Sequence, residues 1–155
     1  MIYSHYAPVI EPYVRDSRSP APTTDNVSKV MSANKRKDTK PELILRKILR
    51  ESGCSGYRLQ WNVPGRPDVA YPGKRIAIFV NGCYWHRCPS CNLPLPKNNT
   101  TFWNDKFKKN IERDAKKICT LKNEGWTVIT IWECEIKHRK FAIDYLITLI
   151  KKQSL

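Results

Sequence analysis

No uninterrupted apolar run in this chain reaches membrane-spanning length, and its first residues carry no charged-then-apolar signal pattern. These absences argue against a membrane partner and lead to the expectation of a cytoplasmic protein. Internal repeats are absent as well, which excludes a repeat architecture. Acidic side chains are scarce: 14 Asp and Glu stand against 28 Lys and Arg, a formal net charge of +14. That excess points to a polyanionic partner, nucleic acid before an anionic membrane surface. At 155 residues the chain is long enough for one domain with its own core. A hydrophobic share of 41% leaves part of it outside that core. Six cysteines in a cytosolic setting favour metal binding or free thiols over disulfides.

Residues 1–30 differ from the rest. They hold Pro8, Pro12, Pro20 and Pro22, and three basic residues cancel three acidic ones, so the charge excess lies in residues 31–155. The expectation is a disordered or loosely docked arm followed by one domain, with Met31 as an alternative start. Within that domain Thr39-Lys-Pro-Glu42 forms a capping box, and Leu43, Ile44, Ile48 and Leu49 follow at helical spacing until Gly53. Tyr57–Trp61, Pro67–Tyr71 and Arg75–Val80 read as short strands, broken at Pro64-Gly65 and Pro72-Gly73. A long helix is predicted over Thr101–Glu124, with Trp103, Phe107, Ile111, Ala115, Ile118 and Leu121 on its apolar face. Lys106, Lys108, Lys109, Arg113, Lys116 and Lys117 crowd its other faces. Trp126–Trp132 reads as a central strand, and Lys140–Lys152 as a final helix with Phe141, Tyr145, Leu146 and Leu149 inward. Helix, three strands, helix, strand, helix is the order of a mixed α/β sheet flanked by helices.

Between strand and long helix lies a loop dense in Cys, Pro and Asn. Cys83, Cys88 and Cys91 fall within it, and Cys88-Pro-Ser-Cys91 is a knuckle that can aim two thiolates at one ion. Cys134, just past the Trp126–Trp132 strand, is a fourth candidate; His86 is a rival ligand. A metal here would pin a loop with little core of its own. Free, partly buried thiols are the plainer alternative.

Asp68, at the start of a short strand, can hold a hard divalent cation at a sheet edge. Glu42 has a sufficient role as a capping residue, and His86 is one of three histidines, beside Tyr84-Trp85. Aromatic residues in basic surroundings (Tyr84, Trp85 and Trp103) can stack on bases or wedge between them. Lysines along the long helix can track phosphates.

Taken together, Thr39-Lys-Pro-Glu42, Pro64-Gly-Arg-Pro-Asp68, Phe79-Val-Asn-Gly-Cys-Tyr-Trp-His86, Thr101-Phe-Trp103, Glu112-Arg-Asp114, Gly125-Trp126 and Trp132-Glu-Cys134 occur in this order. Over about residues 31–138 the chain thereby resembles the very-short-patch (Vsr-type) mismatch repair endonucleases. The resemblance implies a restriction-endonuclease-like core. It implies a magnesium-dependent enzyme that nicks one strand 5′ of the thymine of a T:G mismatch, left where 5-methylcytosine has deaminated. Asp68 would be the main magnesium ligand, with the backbone carbonyl of Val80 beside it. His86 would activate the attacking water, supported by Glu42 and Asp114. Structural zinc would be held by Cys83, Cys88, Cys91 and Cys134. Tyr84, Trp85 and Trp103 would form the wedge that enters double-stranded DNA, and Lys106, Lys109 and Arg113 would contact it. A nucleoid-associated monomer acting with mismatch-repair proteins and a DNA polymerase completes the expectation.

Two positions depart from the related pattern. Asn81 stands where related active sites often have histidine; it can hydrogen-bond a phosphate or a water but cannot shuttle a proton. Cys88 stands where histidine is common in the zinc loop, and a thiolate binds zinc at least as well. Two other readings stay open: a zinc-containing DNA-binding protein that has lost efficient cleavage, and a nuclease of the same fold acting on matched DNA.

Overall fold

The computed structural model describes residues 37–138 and 141–152, with Pro20, Asp25, Asn26, Lys29 and Lys35. The chain divides into two units, Met1–Ala33 and Asn34–Leu155. In the first unit Asp25, Asn26 and Lys29 are helical; the expectations for a loose arm and for Met31 lie outside the described residues.

In the second unit the capping box forms as the sequence predicts: helix α1 (Lys40–Glu51) starts after Thr39, with proline in its first turn and Glu42 closing the box. Strands β1 (Val69–Tyr71) and β2 (Ile76–Asn81) follow, then the long helix α2 (Thr100–Asn123), strand β3 (Thr127–Trp132), a short helix α3 (Glu133–Lys137) and helix α4 (Phe141–Lys152). β1 runs antiparallel to β2, with Val69 opposite Ile78. β3 runs parallel to β2, with Ile76 opposite Thr127 and Asn81 opposite Trp132. α2 is the crossover that a parallel pair requires.

The three-stranded mixed sheet is covered on both faces, which is why β2 reads as an apolar run without alternation. Ile76 and Ile78 pack with Leu45 and Leu49 of α1, Ile136 of α3, and Ile143, Leu146 and Ile150 of α4. On the opposite face Ala77 and Phe79 pack with Leu121 of α2, backed by Val63, Trp126 and Val128. Asn81 shares the Phe79 face, two residues further along the strand.

Several expectations need correction. Tyr57–Trp61 makes one antiparallel bridge, Arg58 to Ala70, and no strand, because Gln60 at φ +48 turns the chain out of the extended conformation. Trp126–Trp132 supplies an edge strand; the sheet order β1-β2-β3 makes β2 central. On α4, Phe141 and Tyr145 are 80% and 54% exposed, and Ile143 and Ile150 take the inward positions instead. On α2, Phe107 and Leu121 are buried, but Ile111 and Ala115 face solvent. The inward stripe between those anchors is Asn110, Asp114, Lys117 and Ile118, all partly buried, so the helix turns a polar face toward the sheet end. None of the described helices is long and apolar enough to cross a membrane.

This division of α2 has a thermodynamic consequence. Ile78→Ala, at a fully buried position, is expected to cost about 2–5 kcal/mol. Ile111→Ala, at a position that is 48% exposed, is expected to stay within about 0.5 kcal/mol. Urea unfolding of the two variants checks this; similar losses would contradict the assignment of the buried face.

Candidate functional site

Asp68 ends the Pro64–Asp68 loop and directly precedes β1. Gly65 and Arg66, both at positive φ, turn that loop. The carboxylate of Asp68 faces β2: Oδ2 accepts the N–H of Val80 at 2.7 Å, and Oδ1 accepts Nε2 of Gln60 at 3.2 Å. Burial pushes its pKa above the usual carboxylate value and the charge of Glu42 adds to this; the Val80 N–H, Lys117 and Gln60 act the other way. A carboxylate in that balance is short of positive charge and would gain from a cation. Glu42 itself is 3% exposed. Its oxygens accept from Thr39 Oγ1 at 2.7 Å, the Asp38 N–H at 3.0 Å and Arg46 at 3.0 Å, so it acts on Asp68 through its charge.

After β2 the chain folds back on itself. The His86 N–H donates to the Gly82 carbonyl at 3.2 Å and the Cys88 N–H to the Cys83 carbonyl at 2.9 Å, with Arg87 between them at φ +56. This turn presents His86 to α2, where its Nδ1 is hydrogen-bonded to Oδ2 of Asp114. An ionised carboxylate can only accept, so Nδ1 donates in this bond and Nε2 takes no part in it. The other oxygen of Asp114 takes Lys117 Nζ at 2.8 Å. Burial acts to raise the pKa of Asp114, but the hydrogen bonds from His86 and Lys117 outweigh it and hold the carboxyl below the usual range.

Beside His86 lies an aromatic patch. Trp85 meets Tyr84 edge-on at 5.2 Å and Trp103 at 6.1 Å between centroids; Trp103 stacks on Phe107 at 5.9 Å. Lys106 Nζ lies 5.0–5.6 Å from the rings of Trp103, Trp85 and Phe102. Phe107 anchors the patch in the core, while Tyr84, Trp85 and Trp103 keep part of their surface exposed. Lys109 and Arg113 are exposed on α2.

The sulfurs of Cys83, Cys88, Cys91 and Cys134 all lie within 4.8 Å of one another. A zinc ion with bonds of about 2.3 Å in a regular tetrahedron needs sulfurs about 3.8 Å apart. Cys88 and Cys134 are 3.9 Å apart, and all six cysteines are free thiols, so four soft donors already stand at the spacing that such an ion would use. Burial pushes the Cys83 and Cys134 thiols up. At Cys88 burial acts the same way but is outweighed by the N–H groups of Cys91 and Ser90, which favour a thiolate. Cys134 lies with the three loop cysteines, whereas His86 pairs with Asp114. Cys54 is buried and Cys119 exposed, both away from this cluster.

A family model described as DNA mismatch endonuclease Vsr matches residues 21–93. A type II nicking enzyme of Neisseria meningitidis serogroup A is 37% identical over 131 residues, covering 84% of this chain and 93% of its relative. The DNA mismatch endonuclease Vsr of Escherichia coli is 37% identical over 122 residues, 78% of each chain. The chain belongs to the Vsr endonuclease family. Among solved structures, the catalytic domain of the homing endonuclease I-Bth0305I matches at 28% identity and a TM-score of 0.46, covering 75% of this chain and 94% of that one.

In this Vsr-family chain three residues enter the site without a motif of their own. Arg46 neutralises Glu42 from one helical turn away, and its signal is the i,i+4 spacing. Lys117 stands i,i+3 from Asp114, and its side chain is only 17% exposed although it reads as one of many surface lysines. Gln60 reaches Asp68 from a turn that no local pattern announces. The depressed pKa of Asp114 favours the folded state above the unfolded value of 3.8, and this contribution is lost as pH falls through the folded value. Asp114→Asn is therefore expected to lower the melting temperature at neutral pH, with the gap to wild type closing below about pH 4. A gap in thermal melts that stays constant down to acid pH would contradict the pairing.

Proposed function

We propose that this Vsr-family chain nicks one strand of double-stranded DNA 5′ of the thymine of a T:G mismatch, the lesion left by deamination of 5-methylcytosine. The observation that carries the reading is the His86–Asp114 pair, joined through Lys117 to the Asp68 loop and flanked by an aromatic patch. Asp68 and the carbonyl of Val80 would hold magnesium, which supplies charge neutralisation at the scissile phosphate. His86 Nε2 takes the proton of the attacking water, because Nδ1 is committed to Asp114. Asn81, at the end of β2 on the Phe79 face, can donate to a phosphate oxygen or orient the water. Glu42, fixed by Arg46 and the helix cap, tunes the charge around Asp68.

Recognition follows from the surface beside this centre. Tyr84, Trp85 and Trp103 would wedge into the duplex, where a mismatched step costs less to unstack than a paired one. Lys106 would bring its charge to the same place, and Lys109 and Arg113 would follow the backbone. Cys83, Cys88, Cys91 and Cys134 would hold a structural zinc ion, which keeps the turn carrying Trp85 and His86 in shape. The same reading has a cytoplasmic monomer passing its nick to mismatch-repair proteins and a DNA polymerase.

Wild type and Asp68→Ala, assayed with magnesium on T:G and T:A duplexes of the same sequence, test the proposal. Asp68→Ala is expected to lose at least about 100-fold in nicking rate, and wild type to cut the T:G strand in preference. Equal nicking of T:G and T:A would replace mismatch specificity by cleavage of matched DNA. No nicking in any methyltransferase sequence context, with DNA binding intact, would favour a binding module in which Asn81 has removed efficient cleavage.

A further inference from the structure

Lys117 is built into the site by three independent contacts. Its Nζ pairs with Asp114 Oδ1 at 2.8 Å and lies 4.2 Å from the centroid of the Phe79 ring. Its stem passes so close to Gly65 that a Cβ there would stand 2.9 Å from Lys117 Cβ and Cδ. Gly65 is thus needed twice, for its φ of +76 and for the space that the lysine occupies. A lysine on a solvated helix face needs neither. Its charge also reaches Asp68, where it works against the burial that raises that carboxyl. The stem therefore rests on the loop that delivers Asp68, and the ammonium grips the carboxylate that orients His86.

We propose that Lys117 is a positioning residue of the nuclease centre, locking Asp114, and through it His86, to the Asp68 loop. This rests on the nuclease reading above. By taking Oδ1 of Asp114, Lys117 leaves Oδ2 as the oxygen that faces His86 Nδ1 and fixes the direction in which Nε2 points. It also keeps a positive charge on the Phe79 face of β2, the face that carries Asn81.

Three variants test this in single-turnover nicking with magnesium: Lys117→Met, which keeps the length of the stem, Lys117→Arg, which keeps the charge, and Asp68→Ala as the reference. Lys117→Met is expected to lower the nicking rate by about 10- to 100-fold, since small misplacements of a catalytic group cost that much. Its affinity for DNA is expected to change by less than about threefold, because one inward-facing lysine adds little to phosphate contacts. Lys117→Arg is expected to recover most of the rate. A second readout needs no turnover: the proton NMR signal of the His86 Nδ1–H, assigned by its loss in Asp114→Asn, should persist in Lys117→Arg and broaden in Lys117→Met. Wild-type rate and an unchanged His86 signal in Lys117→Met would overturn the inference while the nuclease reading stands. Loss of rate and affinity together, with arginine no better than methionine, would show a purely structural lysine and overturn it as well. If Lys117→Met does not fold, Lys117→Arg decides: a rate near wild type supports the role, and a loss as deep as that of Asp114→Asn removes it. If Asp68→Ala nicks as fast as wild type, the nuclease reading fails and this inference falls with it.

Discussion

The segment between β2 and α2 has no regular secondary structure beyond turns and buries little apolar surface of its own, chiefly Cys83 and Cys88. Yet it must hold Trp85 and His86 against one helix and Cys88 and Cys91 against the start of another. A chain of this kind loses conformational entropy on ordering and gains little from burial in return. A metal ion held by the four nearby sulfurs would supply the missing constraint. Three of them come from the turn after β2 and the fourth, Cys134, from the start of α3, and all lie within 4.8 Å of one another. Because β2 and β3 pair in parallel and end together at Asn81 and Trp132, both halves of the cluster leave the same end of the sheet. His86, which pairs with Asp114, lies in the same turn between Cys83 and Cys88, so a metal in the cluster would hold that turn in place.

The rest of the site shows a division of labour between charge and shape. Asp68 sits where burial and Glu42 disfavour its ionised form, so a cation has something to gain there; Asp114 sits where two donors favour its ionised form, so it can serve as a fixed acceptor. Two carboxylates of the candidate site are thus pushed in opposite directions by their neighbours. α2 makes this possible by breaking its own amphipathic pattern. Phe107 and Leu121 anchor it to the core, and Asn110, Asp114 and Lys117 occupy the inward positions between them.

That broken pattern marks the border of what the sequence made legible. The capping box at Thr39, the buried strand Ile76–Asn81 and the long helix follow from local rules of capping, β-branched content and periodicity, and the structure has them within a residue or two. Periodicity also placed Ile111 and Ala115 inward, because a count of apolar residues cannot see that the space beneath them belongs to a polar site. Phe141 and Tyr145 were misplaced for the related reason that large aromatics look like core, although Ile143 and Ile150 fill it. Within the candidate site, the residues that lie in motifs could be named from the sequence. Lys117, Arg46 and Gln60 could not, since their contacts arise only when α2, α1 and the turn at Gln60 are brought to the same place. Cys134, one strand and one helix distant from the knuckle, was within reach because the strand ahead of it could be paired with the one leading into Cys83.

X-ray absorption at the zinc edge of the purified protein tests the central junction most directly. The expected result is about one zinc ion per chain in a shell of four sulfurs at about 2.3 Å, with no light-atom ligand. A folded protein without tightly bound metal, or a shell in which nitrogen from His86 replaces one of the sulfurs, would contradict it.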